Sequence, residues 1–178
     1  GTLTIGADGS YSYILNDAAI QGMDDLETAD DVFTYTVSDG AAPVTTTLTV
    51  TVFGNNDAPV ANADTNWAQE DVSDASGNVL TSTDHSTDAP DSGSYGDVAD
   101  TDVDVESLTV TNIADGDENK AVAANTTSAD GTVVTGLYGT LTIGADGSYS
   151  YILNDAAIQG MDDLETADDV FTYTVSDG

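Results

Sequence analysis

The chain contains no cysteine, so no disulfide can staple it and no thiolate can hold a metal. It has almost no positive charge either, with one Lys or Arg against 33 Asp and Glu and a formal net charge of −32 over 178 residues. Nucleic acid is thereby excluded as a partner, since nothing is available to displace phosphate counterions. Anionic membrane surfaces are disfavoured for the same reason. No apolar run approaches the ~20 residues that a spanning helix needs, so no membrane insertion is expected, and no signal peptide is visible. A chain this acidic would ordinarily be disordered. Its hydrophobic residues, 39% of the total, instead fall in short alternating runs, which points to folded modules joined by acidic loops.

What the chain does have is a duplication. Gly139–Gly178 repeats Gly1–Gly40 residue for residue, at an offset of 138 positions (139 minus 1). Identical copies suit a molecule whose task scales with its length better than they suit an enzyme. The chain therefore reads as a window on a tandem array, with neighbouring identical repeats as its first partners. Gly1 already sits inside a repeat, so absent targeting signals carry no information.

Along the first copy, Gly1–Ile5 and Ser10–Leu15 alternate polar with apolar residues around the turn Gly6-Ala7-Asp8-Gly9, a β-hairpin signal. Asn16 to Asp31 is irregular, with Ala18, Ala19, Ile20 and Met23 suggesting a buried turn or short helix. Val32–Val37 then sets Phe33, Tyr35 and Val37 on one face, and Val44–Phe53 sets Leu48, Val50 and Val52 on one face with threonines opposite. The second of these suits a terminal strand covering a sandwich. Gly54-Asn55-Asn56-Asp57-Ala58-Pro59 breaks the pattern and marks a boundary. Residues 1–56 are thus read as the C-terminal part of one repeat, and 57–178 as the next repeat without its last strand.

In that second repeat a strand is expected over Pro59–Asp64, a long surface loop over Thr81–Gly96, a strand over Leu108–Thr111, and the duplicated strands at Thr140–Ile143, Ser148–Leu153 and Val170–Ser176. Many short strands without a convincing amphipathic helix define an all-β class, antiparallel sandwich repeats. A period begun near Asp57 would run to position 194 (57 plus 137), and the missing edge strand would leave backbone groups exposed. End-to-end strand complementation, with residues 41–56 of a neighbouring molecule filling the gap, is one expected remedy.

The carboxylates call for a cation. Asp100, Asp102 and Asp104 alternate, so in an extended segment they converge on one side, and Glu106 continues the row. Two unit charges ~7 Å apart in water repel by roughly 0.6 kcal/mol, and many such pairs accumulate unless a cation intervenes. Oxygen ligands at this density suit Ca²⁺, whereas zinc would want His or Cys, and His85 stands alone. The row is not an EF-hand loop: counting from Asp100, Val105 takes the place of the glycine and Thr111 that of the glutamate.

Asn56-Asp57-Ala58-Pro59-Val60, Asp100-Thr101-Asp102-Val103-Asp104 with Leu108-Thr109-Val110, Gly139–Ile143 with Ala145–Tyr151, and Phe171–Gly178 together resemble the cadherin-like, immunoglobulin-like (VCBS-type) tandem repeats of giant bacterial surface proteins. Among these are the extender repeats of RTX-type adhesins. The resemblance implies an immunoglobulin/cadherin-like sandwich, Ca²⁺ at or near the junctions, an extracellular place on the bacterial surface, and a role in cell adhesion and biofilm formation. By the same resemblance a junction site would draw Glu27 from the module above, Asn55, Asn56 and Asp57 from the linker, and Asp100 and Asp102 from the module below. Asp177, the counterpart of Asp39, would complete it, and Glu165 would take the part of Glu27 at the next junction. The Thr81–Gly96 loop departs from the pattern.

Other features have plainer readings. Thr45, Thr47, Thr49 and Thr51 form a polar ladder of the kind strands ordinarily turn to solvent, although such a face can also bind ice or a sugar. Trp67, Tyr149 and Tyr151 read as packing residues. His85, beside Asp84 and Asp88, lies in a loop with no nucleophile pattern, so catalysis is not expected. The expected function is a calcium-stabilised spacer that projects a binding region from the cell. The alternative is an adhesive module that itself takes carbohydrate, ice or a protein through the Thr81–Gly96 loop or the threonine face.

Overall fold

A computed structural model of the chain describes residues 1–104 and 106–178; Val105, which stands in the EF-hand glycine position, lies outside them. The protein is an all-β antiparallel sandwich fold, with thirteen strands among the described residues and only two single-turn helices. It divides into two compact units, Gly1–Asp57 with Val103–Val105, and Ala58–Asp102 with Glu106–Gly178.

In the first unit, β1 (Thr2–Ile5) and β2 (Tyr11–Ile14) pair as a hairpin in the register Thr2↔Ile14. Gly9 at φ 85° supplies the left-handed residue its turn needs. β3 (Thr28–Val37) and β4 (Val44–Phe53) form a second antiparallel pair over all ten residues of each, from Thr28↔Phe53 to Val37↔Val44. Thr45, Thr47, Thr49 and Thr51 stay exposed while Leu48 and Val50 are half-buried and Val52 is buried, so the period-two alternation is realised. The expected buried turn is an exposed 3-10 turn at Asp17–Ala19; Ile20 and Met23, just after it, are half-buried.

The second unit holds the core. One sheet runs β10 (Thr132–Thr135), β11 (Gly139–Ile143), β12 (Ser148–Leu153), β5 (Ala75–Asn78); the other runs β13 (Thr172–Ser176), β8 (Thr109–Asp115), β9 (Glu118–Ala121). Val110 and Ile113 from the second sheet meet Val134, Leu141, Ile143 and Tyr149 from the first, with Val79 and Val122 closing the cluster. α1 (Asp155–Ile158) repeats the short turn of the first copy.

Two expectations need correction. Pro59–Asp64 is not a strand: Val60 makes only an isolated bridge to Thr101, and Thr65 another to Gly96. Side chains take the place of a ladder there, because the Asn62 N–H donates to Asp100 Oδ1 (2.6 Å), Asn62 Nδ2 to the Ala99 carbonyl (2.9 Å) and the Val98 N–H to Asp64 Oδ1 (2.8 Å). The Thr81–Gly96 loop, for its part, is closed at its base by β6 (Thr83–Asp84) and β7 (Gly96–Asp97), which pair Thr83↔Asp97 and Asp84↔Gly96.

Candidate functional site

The alternation of Asp100, Asp102 and Asp104 puts all three on one side only while the backbone stays extended. It bends at Val103 and Asp104, and the expected row divides in two. Asp102, Asp104 and Glu106 come together, each offering a carboxylate oxygen within 4.8 Å of the others. Asp104 is 8% exposed, and its Oδ2 accepts the backbone N–H of the boundary residue Asp57 at 2.5 Å.

The donor set fits a hard cation. Two oxygens each ~2.4 Å from one ion lie at most ~4.8 Å apart, which these three satisfy, and all of them are carboxylate oxygens. Nitrogen and sulfur ligands of the kind zinc prefers do not enter the group.

Asp100 belongs to a different arrangement. It is 7% exposed and accepts from the Asn62 N–H; its two oxygens also lie 3.4 and 3.3 Å from the Tyr173 hydroxyl. The same hydroxyl sits 2.9 Å from Asp64 Oδ2 and 2.8 Å from the Asn62 carbonyl. One hydroxyl proton therefore faces three acceptors, two of them carboxylates. Burial pushes the Asp64 carboxyl up from its ordinary range, against the opposing effect of the Val98 and Tyr173 hydrogen bonds. A raised folded value means that ionised Asp64 opposes folding, and that this opposition is relieved as the pH falls through the raised value.

Replacing Tyr173 with Phe removes a donor that the two carboxylates share, and is expected to destabilise the second unit by about 1–3 kcal/mol. The matched change in the first copy, Tyr35→Phe, leaves this group untouched and should cost less. Thermal unfolding of the two variants makes the comparison within one chain.

Of the other residues drawn in by resemblance, Glu27, Glu165 and Asp39 accept hydrogen bonds from backbone two or three residues away. Glu27 Oε2 accepts the Asp24 N–H at 3.3 Å, and Glu165 Oε2 the Asp162 N–H at 2.9 Å, the same local closure in both copies. Asp39 Oδ1 accepts from Ala41 (2.9 Å) and Ala42 (3.3 Å), and these backbone bonds hold its carboxyl below the usual range. Asn55 Nδ2 donates to the Asn56 carbonyl at 3.1 Å; Asn56 is exposed and Asp177 half-buried.

A second buried polar group carries no sequence signal of its own. Asp97 is 2% exposed; its Oδ1 accepts from the Tyr149 hydroxyl at 2.9 Å, and its Oδ2 from the Asn78 N–H at 2.9 Å. His85 Nε2 lies 2.8 Å from the same Oδ2, and Asn66 Nδ2 donates to the Tyr149 hydroxyl at 2.8 Å. Trp67 Nε1 donates to the His85 carbonyl at 2.7 Å, so the indole anchors the base of the loop. Gly77 makes room for the group: a Cβ there would overlap Asp97 Oδ2 and come within 2.7 Å of the Tyr149 hydroxyl and 2.9 Å of His85 Nε2. The arrangement orders the loop, and among the hydrogen bonds described no serine, threonine or other nucleophile is paired to His85.

No helix of the described residues is long and apolar enough to cross a membrane. Set against models of known protein families the chain matches none, and it matches no protein curated for function.

Proposed function

We propose that this chain is a calcium-stabilised spacer from a tandem array, an extender segment of a bacterial cell-surface adhesin that holds a ligand-binding region away from the cell. The observation that carries the reading is the convergence of Asp102, Asp104 and Glu106 beside the boundary residue Asp57, in a chain that repeats forty of its residues without a change. Sandwich units built to one sequence supply reach. A divalent ion held by three carboxylates offsets their mutual repulsion and fixes the backbone that carries them.

In this reading the chain is not an enzyme. Its partners are adjoining copies of the same repeat, either along one chain or by end-to-end strand complementation through residues 41–56, and its place is extracellular. When bound, Ca²⁺ supplies charge neutralisation; Asp102, Asp104 and Glu106 hold it, and Asp57 keeps Asp104 in place. The test is isothermal titration of the chain with CaCl₂ beside Asp104→Asn. Binding at about 10⁻⁴ to 10⁻³ M that disappears in the variant supports the reading, and heat traces that do not differ between the two contradict it.

A second reading has one observation in its favour. Thr65, Thr83, Asp84, Ser94 and Tyr95 line a shallow open groove at the base of the Thr81–Gly96 loop, a place where an adhesive module could take a small polar ligand. Glycan-array binding that is lost on Tyr95→Ala, with the fold retained, would favour that reading over the spacer.

A further inference from the structure

Most asparagines of the chain put their carboxamides to structural use. Asn55, Asn62, Asn66, Asn78 and Asn112 each donate from Nδ2 to an oxygen elsewhere in the chain. Asn125 does not. It is exposed, it lies in a turn with φ 61°, and among the hydrogen bonds described none engages its side chain. Two threonines follow it, and Asn125-Thr126-Thr127 is the only Asn-x-Ser/Thr tripeptide in the sequence. Such a tripeptide on an accessible loop is an acceptor for asparagine-linked sugar.

The residues after Asn125 hold the turn down and leave its carboxamide outside. Thr126 Oγ1 donates to the Ala123 carbonyl (2.6 Å) and accepts the Ala145 N–H (3.1 Å), while the Thr126 carbonyl accepts the Asp146 N–H (3.2 Å). The Thr127 backbone lies so close to Gly144 that any Cβ there would overlap it. Left-handed backbone is adopted most readily by glycine, asparagine and aspartate. Among the described residues Asp71, Asp88 and several glycines take such positions, and Asn125 is the one asparagine that does. In a chain with 33 Asp and Glu, an amide at this turn keeps the group to which a sugar can be joined.

We propose that Asn125 is a glycosylation site, which takes an N-linked sugar from an activated donor, either a nucleotide sugar or a lipid-linked sugar pyrophosphate. In the transfer the bond from sugar C1 to the donor's phosphate oxygen breaks, and the phosphate leaves with its electron pair. A bond from C1 to Asn125 Nδ2 forms as the carboxamide loses one proton, so no oxidant or reductant takes part. Thr127 supplies the hydroxyl of the tripeptide. In the folded chain that hydroxyl is already engaged, donating to Asp130 Oδ1 at 3.2 Å and accepting the Ala129 N–H at 3.2 Å. Transfer therefore precedes closing of the Thr127–Asp130 turn, and the finished turn carries the sugar into solvent. This inference rests on the tripeptide and the turn, and it depends on neither calcium nor the spacer reading.

The test is mass spectrometry of the protein isolated from the cells that produce it. Cleavage after Lys120 and before Asp130 frees Ala121–Ala129, in which Asn125 is the single asparagine. The expected result is a peptide heavier by whole sugar residues, with fragment ions that place them on Asn125. Sugars added one at a time support the site with a nucleotide-sugar donor, and a block of constant composition supports it with a lipid-linked one. Asn125→Asp, which suits the left-handed backbone, and Thr127→Ala should each abolish the added mass. Thr127→Ser, which retains the hydroxyl, should keep it. An unmodified peptide in every preparation overturns the proposal, as does sugar carried on Thr126, Thr127 or Ser128 instead. Added mass that survives Thr127→Ala overturns it too, because Asn125 would then not be recognised through this tripeptide.

Discussion

Asp97→Ala is expected to cost the second unit about 3–5 kcal/mol and to lower its melting temperature by roughly 10–20 °C. The reason is the number of groups that converge on one side chain. The Tyr149 hydroxyl, the Asn78 N–H and His85 Nε2 all meet the Asp97 carboxylate, whose side chain is fully shielded from solvent. Truncation leaves those groups without their acceptor in a place water does not reach, and each buried unsatisfied donor costs about 1–3 kcal/mol. Against a total stability on the order of 5–15 kcal/mol this is a large share.

The effect should also be local. Trp67, which donates to the His85 carbonyl, should report loosening of the Thr81–Gly96 loop at temperatures where the β3–β4 pair of the first unit remains formed. Far-ultraviolet circular dichroism followed beside tryptophan fluorescence separates the two. A variant that melts with the parent would show that the buried carboxylate does not organise the loop. Gly77→Ala approaches the same group from the other side, since its methyl would overlap the carboxylate, and it should destabilise in the same direction.

Calcium is expected to act on a comparable scale. With roughly 10 mM Ca²⁺ and a site that binds at ~10⁻⁴ to 10⁻³ M, each occupied site stabilises the fold by about 1.4–2.7 kcal/mol. Salt alone relieves part of the repulsion in a chain of net charge −32, so the comparison must be made at matched ionic strength, with NaCl and with MgCl₂. Mg²⁺ keeps its own water and demands a tighter octahedral cage, so three flexible carboxylates should favour the larger ion. Asp104→Asn, chosen because Asp104 is 8% exposed and also accepts the Asp57 N–H, should remove the calcium-specific part of the rise in melting temperature. The part shared with NaCl should survive. An identical rise in the parent and the variant would assign the whole effect to screening.

Much of the fold was legible in the sequence because period-two alternation reports directly on a half-buried strand. Val44–Phe53 is a strand from end to end, and the hairpins of both copies fall where their turn residues place them. Pro59–Asp64 misled for a physical reason: its backbone groups are satisfied by the Asp100 and Asp64 side chains, a choice that depends on distant residues and leaves no periodic trace. β5 was missed because Ala75-Ser76-Gly77-Asn78 has no alternation, and its place is set by pairing with β12.

The candidate site was legible in part. Spacing alone put Asp102 and Asp104 in one group with Glu106. The bend at Val103 and Asp104 that sends Asp100 to Tyr173 is a tertiary outcome, as is the meeting of Asp97 with His85, twelve positions apart in sequence. Glycine was the one available hint: Gly77 stands where any side chain would displace the Asp97 group, though a lone glycine in an acidic chain points nowhere until the fold is known.

The claim at the centre of the account is that calcium held by clustered carboxylates turns a string of these sandwiches into a stiff rod. Small-angle scattering from a protein of several tandem repeats, recorded in Ca²⁺ and again in EDTA at equal ionic strength, tests it most directly. The expected result is a maximum dimension that grows in proportion to repeat number with Ca²⁺ and falls well short of that proportion in EDTA. A maximum dimension that is the same in both would contradict the account.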